Sequence, residues 1–204
     1  SQDDSLLNPE TQSLDGFLRL KDMFEEVHIL ILREGITSTN PVLRPDNNVW
    51  LYTATAKNWF QTPTAALDLA REQLAFASGF RPDLIVARDP FESAIVASAL
   101  GRKYNRPTQL HILEDYNNPA FIKKNRHNRW RRFIPRFTVP KFNSVRTATD
   151  GLQAVIKKKF SVEDLALLPR YQDYQKVIGS KVAVDLSTKY KPFIFFMLYV
   201  GKLG

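Results

Sequence analysis

The sequence predicts an α/β fold, a Rossmann-like parallel sheet flanked by helices, and two observations support this prediction. Short runs of β-branched and aliphatic residues alternate along the chain with longer segments of helical spacing, which is the pattern of βαβ units. Most of the short runs are continuously apolar, as expected for strands covered on both faces. A chain of 204 residues has room for one such domain.

Five apolar runs are the predicted strands of this domain, and a sixth lies near the end of the chain. They are Val27–Leu32, Val49–Ala54, Leu84–Ala87, Gln109–Leu113, Ser144–Ala148 and Phe193–Val200. We therefore expect a domain over residues 1–168, a linker over 169–191 with few periodic apolar positions, and the first strand of a further unit over 192–204.

Helical spacing predicts five helices that connect these strands. Their bounds are about Leu14–Phe24, Pro63–Ser78, Pro90–Tyr104, Ala120–Phe137 and Gly151–Lys159. Two of them follow a favourable start signal, because Thr62 and Asp89 each place a capping side chain before a proline.

Composition excludes several classes of function. The chain has no cysteine, which excludes disulfide scaffolds, zinc–thiolate sites and cysteine nucleophiles. We also find no metal-ligand spacing, no glycine-rich phosphate loop and no Gly-x-Ser-x-Gly elbow, so neither a metal nor a cofactor is predicted. The net charge of +8 instead indicates an anionic partner, such as a nucleotide, a nucleic acid or an acidic membrane surface.

Hydropathy gives an expectation for localisation. The longest apolar run, Phe193–Val200, is far shorter than the ~20 residues that a membrane-spanning helix needs. We expect a cytoplasmic protein, with peripheral binding to the inner face of the membrane as a further option.

Acidic residues follow the third predicted strand, where the chain turns into a helix. Ligands of parallel sheets bind outside the carboxyl ends of the strands, so Asp89 and Glu92 are candidate binding residues. A purely structural role is equally open: Asp89 would cap the helix and Glu92 would complete a capping box.

A histidine interrupts the apolar run of the fourth predicted strand. An imidazole is costly to bury without a partner, so His111 is either a hydrogen-bonded core residue or faces a cleft at the end of the strand. In the second case, it would bind a sugar hydroxyl or a phosphate. Asp115, Tyr116 and Asn117 follow directly, and their polar groups are candidates for binding the hydroxyls of an acceptor.

Residues 116–149, which we call the basic segment, contain no acidic side chain. Arginines and lysines alternate there with aromatic residues, a mixture that suits an anionic membrane surface, a lipid-linked acceptor or, as a less favoured partner, single-stranded nucleic acid. An ordinary solvated face of a helix is the alternative. The candidate contacts are Lys123, Lys124, Arg126, Arg129, Trp130, Arg131, Arg132 and Arg136.

Several of these motifs, in order, resemble the N-terminal domain of family 4 GT-B glycosyltransferases. The residues Arg-Asp-Pro-Phe-Glu at 88–92 resemble the QDPFE segment of that family, with Arg88 where glutamine is usual. Gln109 and His111 followed by Asp115 resemble its QxH…D strand end. Residues 144–149, 167–169 and 199–203 are similar to the later strand, the strand end before the linker, and the xVGRL start of the donor domain.

The resemblance implies a function for the chain. In the family, one Rossmann-like domain binds the acceptor, which is a glycan or a lipid-linked molecule, and the other binds the nucleotide-sugar. Catalysis in the family needs no bound metal. By this resemblance His111 is the catalytic residue near the transferred sugar. Asp89, Glu92, Asp115, Tyr116 and Asn117 would then line the acceptor side, and the basic segment would meet a membrane.

The sequence departs from the family in two places. The acidic donor motif is absent, and the usual first strand with its glycine-rich turn has no counterpart before Leu14. We therefore expect an acceptor-side fragment that is inactive alone, and one hypothesis is that Phe193–Val200 fills the missing strand position. Half of a sugar-nucleotide epimerase, or a non-catalytic module that binds membrane or nucleic acid, is the alternative function.

Overall fold

The computed structural model of the chain describes residues 19–35, 42–72 and 79–168. The chain divides into two units, Ser1–Pro169 and Arg170–Gly204, and every described residue belongs to the first. The predicted linker, the predicted strand Phe193–Val200 and residues 14–18 of the predicted first helix lie outside the described residues. The described part of that helix is a 3₁₀ turn at Arg19–Asp22 instead of an α-helix. The hypothesis that Phe193–Val200 fills a gap in the sheet concerns residues outside the described ranges and stays a prediction.

Three strands form the first sheet. Strands β1 (Val27–Glu34) and β3 (Val49–Ala56) run parallel, with Val27 opposite Val49, and β2 (Val42–Asp46) pairs antiparallel with the other edge of β3. The predicted strands Val27–Leu32 and Val49–Ala54 are confirmed. Strand β2 was missed because it is almost wholly exposed and contains Pro45, so it carries no apolar run.

Four parallel strands form the second sheet, in the order in which they occur along the chain. They are β4 (Ile85–Ala87), β5 (Thr108–Ile112), β6 (Ser144–Thr147) and β7 (Asp164–Leu167). This parallel sheet with its helical connections is the Rossmann-like arrangement that the sequence predicts.

Six α-helices connect or cover the strands in the described part of the chain. They are α1 (Thr62–Leu69), α2 (Glu92–Tyr104), α3 (Pro119–Lys124), α4 (Asn128–Arg131), α5 (Pro135–Thr138) and α6 (Asp150–Lys159). Short 3₁₀ turns lie at Arg19–Asp22, Trp59–Gln61 and Val139–Lys141. None of these helices is long and apolar enough to cross a membrane.

The predicted long helix Ala120–Phe137 is wrong, because α3, α4 and α5 occupy this stretch as separate short helices. The backbone of Asn125 is extended, with φ −151° and ψ 139°, and ends α3. Its side chain accepts a hydrogen bond from the backbone N–H of His127 at 3.0 Å, which stabilises the break. Pro135 has no N–H to donate to the preceding turn and so begins a new helix.

The predicted capping at two helix starts is also wrong. Helix α2 begins at Glu92 rather than Pro90, because the carboxylate of Asp89 accepts from the N–H of Phe91 at 2.9 Å and holds a turn there. The hydroxyl of Thr62 donates to the carbonyl of Trp59 at 2.6 Å instead of capping α1.

Buried apolar residues of the described chain form three clusters, and helix α2 takes part in two of them. One face of the second sheet, with Leu110, Ile112 and Val145 fully buried, packs against Ala94 of α2 and Ile156 of α6. A second cluster joins the two sheets: Leu32 and Tyr52 from the first sheet share it with Val96 and Leu100 of α2. Helix α2 therefore contributes to both of these clusters, and it begins at Glu92, shortly after the carboxyl end of β4.

Helix α2 approaches β5 so closely at Gly101 that an added Cβ would collide with the methyl group of Thr108. We therefore expect Gly101→Ala to lower the free energy of unfolding by about 1–3 kcal/mol, despite the higher helix propensity of alanine. Gly151→Ala is the matched control, since a Cβ there meets no atom within 4 Å. Urea denaturation of both variants measures the difference, and equal effects would contradict the close packing.

Candidate functional site

The carboxyl ends of β4 and β5 form the edge where ligands of parallel sheets bind. Strand β4 ends at Ala87 and β5 ends at Ile112, and Ala87 pairs with Leu110. The half-buried side chains of Asp89 and His111 therefore lie at the same edge of the sheet, neither on opposite edges nor sealed inside it.

His111 is held in place by a neighbour on its own strand. Its Nε2 lies 2.8 Å from Oε1 of Gln109, two residues earlier and on the same face of the sheet. With this oxygen as the acceptor, Nε2 carries the proton, and Nδ1 is left as a hydrogen-bond acceptor.

The surroundings of His111 keep its ring neutral. Arg146 lies opposite His111 in the pairing of β5 with β6, and Arg88 directly follows the β4 residue that pairs with Leu110. Burial, and then the positive charges of Arg88 and Arg146, lower the pKa of His111 from 6.5 to about 4. At neutral pH, this edge therefore combines an uncharged imidazole with two guanidinium groups.

Arg146 is oriented by the next strand. Two of its nitrogens, Nη1 and Nη2, donate to the two carboxylate oxygens of Asp164 at 2.9 and 3.1 Å. These hydrogen bonds hold the pKa of Asp164 below its ordinary value. Asp164 was not among the sequence-predicted residues, because nothing in its local sequence shows that it faces Arg146.

The loop after β5 divides its three predicted residues between solvent and core. Asp115 and Asn117 are exposed, and Oδ1 of Asp115 accepts from the N–H of Asn117 at 2.9 Å. Tyr116 is only 1% exposed and packs edge-on against Phe91 with ring centroids 6.1 Å apart. Burial, and then the charge of Asp115, raise the pKa of Tyr116 to about 12. Tyr116 is thus a core residue, contrary to the implied acceptor role.

Glu92 and Arg131, which the sequence assigned to different roles, form one buried ion pair. The carboxylate of Glu92 is 1% exposed, and it accepts from Nε of Arg131 at 2.8 and 3.1 Å and from Nη2 at 2.6 Å. The guanidinium also donates to Oδ1 of Asn128 at 3.1 Å and lies 4.5 Å from the ring centroid of Phe91. Glu92 is therefore not open to an acceptor, and Arg131 is not presented to a membrane.

The other predicted contacts of the basic segment are exposed side chains. Trp130 and Phe137 are 71% and 68% exposed, so two large aromatic side chains of this segment face solvent. The exposed charged residues around them are Lys123, Lys124, Arg126, Arg129, Arg132 and Arg136.

A cleft of about 340 Å³ lies at the carboxyl end of β1, and we call it the Trp59 cleft. The rings of Trp59 and His127 meet there, with centroids 5.6 Å apart and planes inclined by 31°. Sequence reasoning missed this cleft; the available signal was Trp59 in the loop that follows the predicted strand Val49–Ala54. Its lining residues are Leu32, Arg33, Glu34, Trp59, Thr62, Asn125, His127 and Arg131.

Within the described ranges, no group of three or more His, Asp or Glu side chains is arranged to hold a metal ion. No protein-family model and no curated protein sequence matches the chain. The residues at the carboxyl ends of β4 and β5 and those of the Trp59 cleft are therefore the two candidate sites.

The burial of the Glu92–Arg131 pair predicts a large effect of breaking it from one side. Arg131→Ala leaves a buried carboxylate without its partner, so we expect the free energy of unfolding to fall by about 3–5 kcal/mol. Arg129→Ala, two positions away and exposed, should change it by less than about 0.5 kcal/mol. Urea denaturation measures both, and similar losses in the two variants would show that the pair does not hold the fold.

Proposed function

We propose that this chain is the acceptor-binding half of a retaining GT-B glycosyltransferase, which transfers sugar from a nucleotide-sugar to a glycan or a lipid-linked acceptor. In this proposal the chain alone does not transfer sugar, because the donor is held by a second domain. The Rossmann-like parallel sheet is compatible with this assignment, and the order of the motifs at 88–92, 109–115 and 144–149 supports it.

The observation that carries the proposal is the neutral imidazole of His111 between Arg88 and Arg146. A neutral Nδ1 can accept a hydrogen bond from a sugar hydroxyl, which a protonated ring cannot do. Asp164 offsets part of the charge of Arg146, and the remaining positive charge of the two guanidinium groups favours negative charge nearby, as on the phosphates of a nucleotide-sugar that leave during transfer. Hydroxyl recognition and phosphate stabilisation are the two requirements of this reaction.

Exposed polar groups beside His111 supply the acceptor side of the proposed site. Asp115 and Asn117 are accessible on the loop after β5, and the half-buried carboxylate of Asp89 follows β4. One carboxylate oxygen of Asp115 and one of Asp89 are used in turns, and each second oxygen can accept from an acceptor hydroxyl. The proposal assigns no acceptor role to Glu92 or Tyr116, which are buried.

The test uses a longer protein that carries this chain together with a donor domain. His111→Ala should lower kcat/KM for transfer by about 100-fold or more, because an interaction at the transferred sugar is lost. Release of nucleoside diphosphate from a panel of nucleotide-sugars, with and without acceptors, measures the effect. Because the pKa of His111 is about 4, its ionisation should add no inflection to the rate between about pH 5.5 and 8.

Lys103→Ala is the control for this test, since Lys103 is exposed at the far end of α2 from the proposed site. It should leave kcat/KM unchanged. The proposal fails if the longer protein neither transfers nor hydrolyses any donor, or if His111→Ala retains full activity. Conversion of the donor into its epimer without transfer would favour the epimerase instead.

A second candidate function, binding to an anionic membrane surface, is favoured by the exposed aromatic residues of the basic segment. Trp130 and Phe137 lie among arginines, and Phe133 is contacted by the guanidinium groups of Arg132 and Arg136 at 4.9 and 5.4 Å. Large aromatic side chains that are surrounded by basic side chains can insert at a lipid headgroup interface. This candidate is compatible with a lipid-linked acceptor and does not require transferase activity.

Liposome co-sedimentation tests this candidate. The chain should bind vesicles of phosphatidylcholine with phosphatidylglycerol, should not bind phosphatidylcholine alone, and should dissociate as salt is raised. Joint replacement of Arg129, Arg132 and Arg136 by glutamate should abolish binding.

The control for co-sedimentation makes the same change in charge elsewhere, with Lys103, Lys157 and Lys158 replaced by glutamate on exposed helix positions. Arg131 is left intact in both variants, because its loss would disturb the fold rather than the surface. Equal sedimentation of the two variants would remove the membrane candidate.

A further inference from the structure

The Trp59 cleft lies at the end of a strand of the first sheet, whereas His111 belongs to the second sheet, and among the sequence-predicted site residues only Arg131 lines the cleft. Leu32, Arg33 and Glu34 are the last three residues of β1, so the cleft opens at the carboxyl end of a parallel strand. Its volume of about 340 Å³ is in the range of small-molecule sites.

Trp59 lines the cleft from the turn that follows β3. It begins the 3₁₀ turn Trp59–Gln61, and the backbone carbonyl of Trp59 accepts from the Thr62 hydroxyl at 2.6 Å. Its edge also meets Phe60, with ring centroids 6.1 Å apart. The face of an aromatic ring attracts C–H groups that carry partial positive charge, as on the ring of a sugar.

Polar groups with unused hydrogen-bonding capacity line the same cleft. The side chain of Asn125 uses its Oδ1 to accept from the N–H of His127, which leaves the Nδ2 donor facing away from that bond. The ring of His127 contacts Trp59, and no hydrogen bond to its nitrogens is found in the part of the chain that the structure describes. Glu34 adds an exposed carboxylate acceptor.

The mixture of groups distinguishes between ligand classes. Donors and acceptors in similar number suit hydroxyls, each of which both donates and accepts. Among the charged groups that line the cleft, Arg131 is paired with Glu92, and Arg33 and Glu34 carry opposite charges, so no excess positive charge favours a strongly anionic ligand. The rings of Trp59 and His127 are inclined by 31°, so they form no parallel slot for a flat nucleobase. We infer that the Trp59 cleft is a binding site for a sugar ring, which stacks on Trp59 and donates and accepts hydrogen bonds with Asn125, His127 and Glu34.

The cleft contains one of three tryptophans, which provides a direct reporter. The chain labelled with 5-fluorotryptophan should give three ¹⁹F NMR signals, assigned by Trp→Phe variants at Trp50, Trp59 and Trp130. The probes are methyl glycosides of glucose, galactose, mannose and N-acetylglucosamine, and the disaccharides maltose and lactose, each in the millimolar range. At least one sugar should move the Trp59 signal saturably and leave the other two signals in place.

A pair of matched variants tests the hydrogen-bonding part of the inference. Asn125→Asp keeps the oxygen that accepts from His127 but removes the Nδ2 donor, so it should weaken sugar binding about five- to tenfold. Asn118→Asp makes the same change at an exposed asparagine that caps α3 with its Oδ1, outside the cleft, and should leave the affinity unchanged. Both variants retain the fluorinated Trp59 reporter.

Uridine and inorganic phosphate are the competing probes. If no sugar moves the Trp59 signal, or if uridine or phosphate moves it and sugars do not, the inference is overturned. Equal weakening by Asn125→Asp and Asn118→Asp would overturn the assigned donor. These outcomes are independent of the proposed function, because the transfer assay depends on His111, and sugar binding here does not require a donor domain.

Discussion

The ion pair between Glu92 and Arg131 connects the parts of the molecule on which both candidate sites depend. Glu92 begins α2 beside the end of β4, and Arg131 lies 39 positions later in the basic segment. Removing two charges from water is costly, and here the cost is offset by three hydrogen bonds between them and by contacts of the guanidinium with Asn128 and Phe91. The segment that carries Asn125 and His127 is thereby fixed against the sheet edge.

Strands covered on both faces were the part of the fold that the sequence revealed most clearly. Strands β1, β3 and β5 are rich in buried aliphatic residues, so their apolar runs stand out against polar loops. Strands β2 and β7 are largely exposed and short, and pairing with a neighbour, rather than their own composition, makes them strands. The breaks between α3, α4 and α5 depend on single residues such as Asn125 and Pro135, which a search for helical spacing does not detect.

For the candidate site, sequence reasoning located residues along the chain better than it assigned their surroundings. It placed His111 and Asp89 at one sheet edge, because topology alone determines where parallel strands end. It did not pair Glu92 with Arg131 or Arg146 with Asp164, because these contacts join distant positions through packing. Tyr116 illustrates the same limit: a polar residue after a strand can turn inward, and only the packing around Phe91 shows that it does.

The hydrophobic cluster that contains Leu32, Tyr52, Val96 and Leu100 is shared by both sheets through α2. Neither sheet can separate from that helix without exposing apolar surface that belongs to the other, so we expect the two sheets to unfold as a single cooperative unit. Slow exchange of backbone amides with solvent should accordingly extend through both sheets, and substitutions that loosen one of them are felt as a loss of protection in the other.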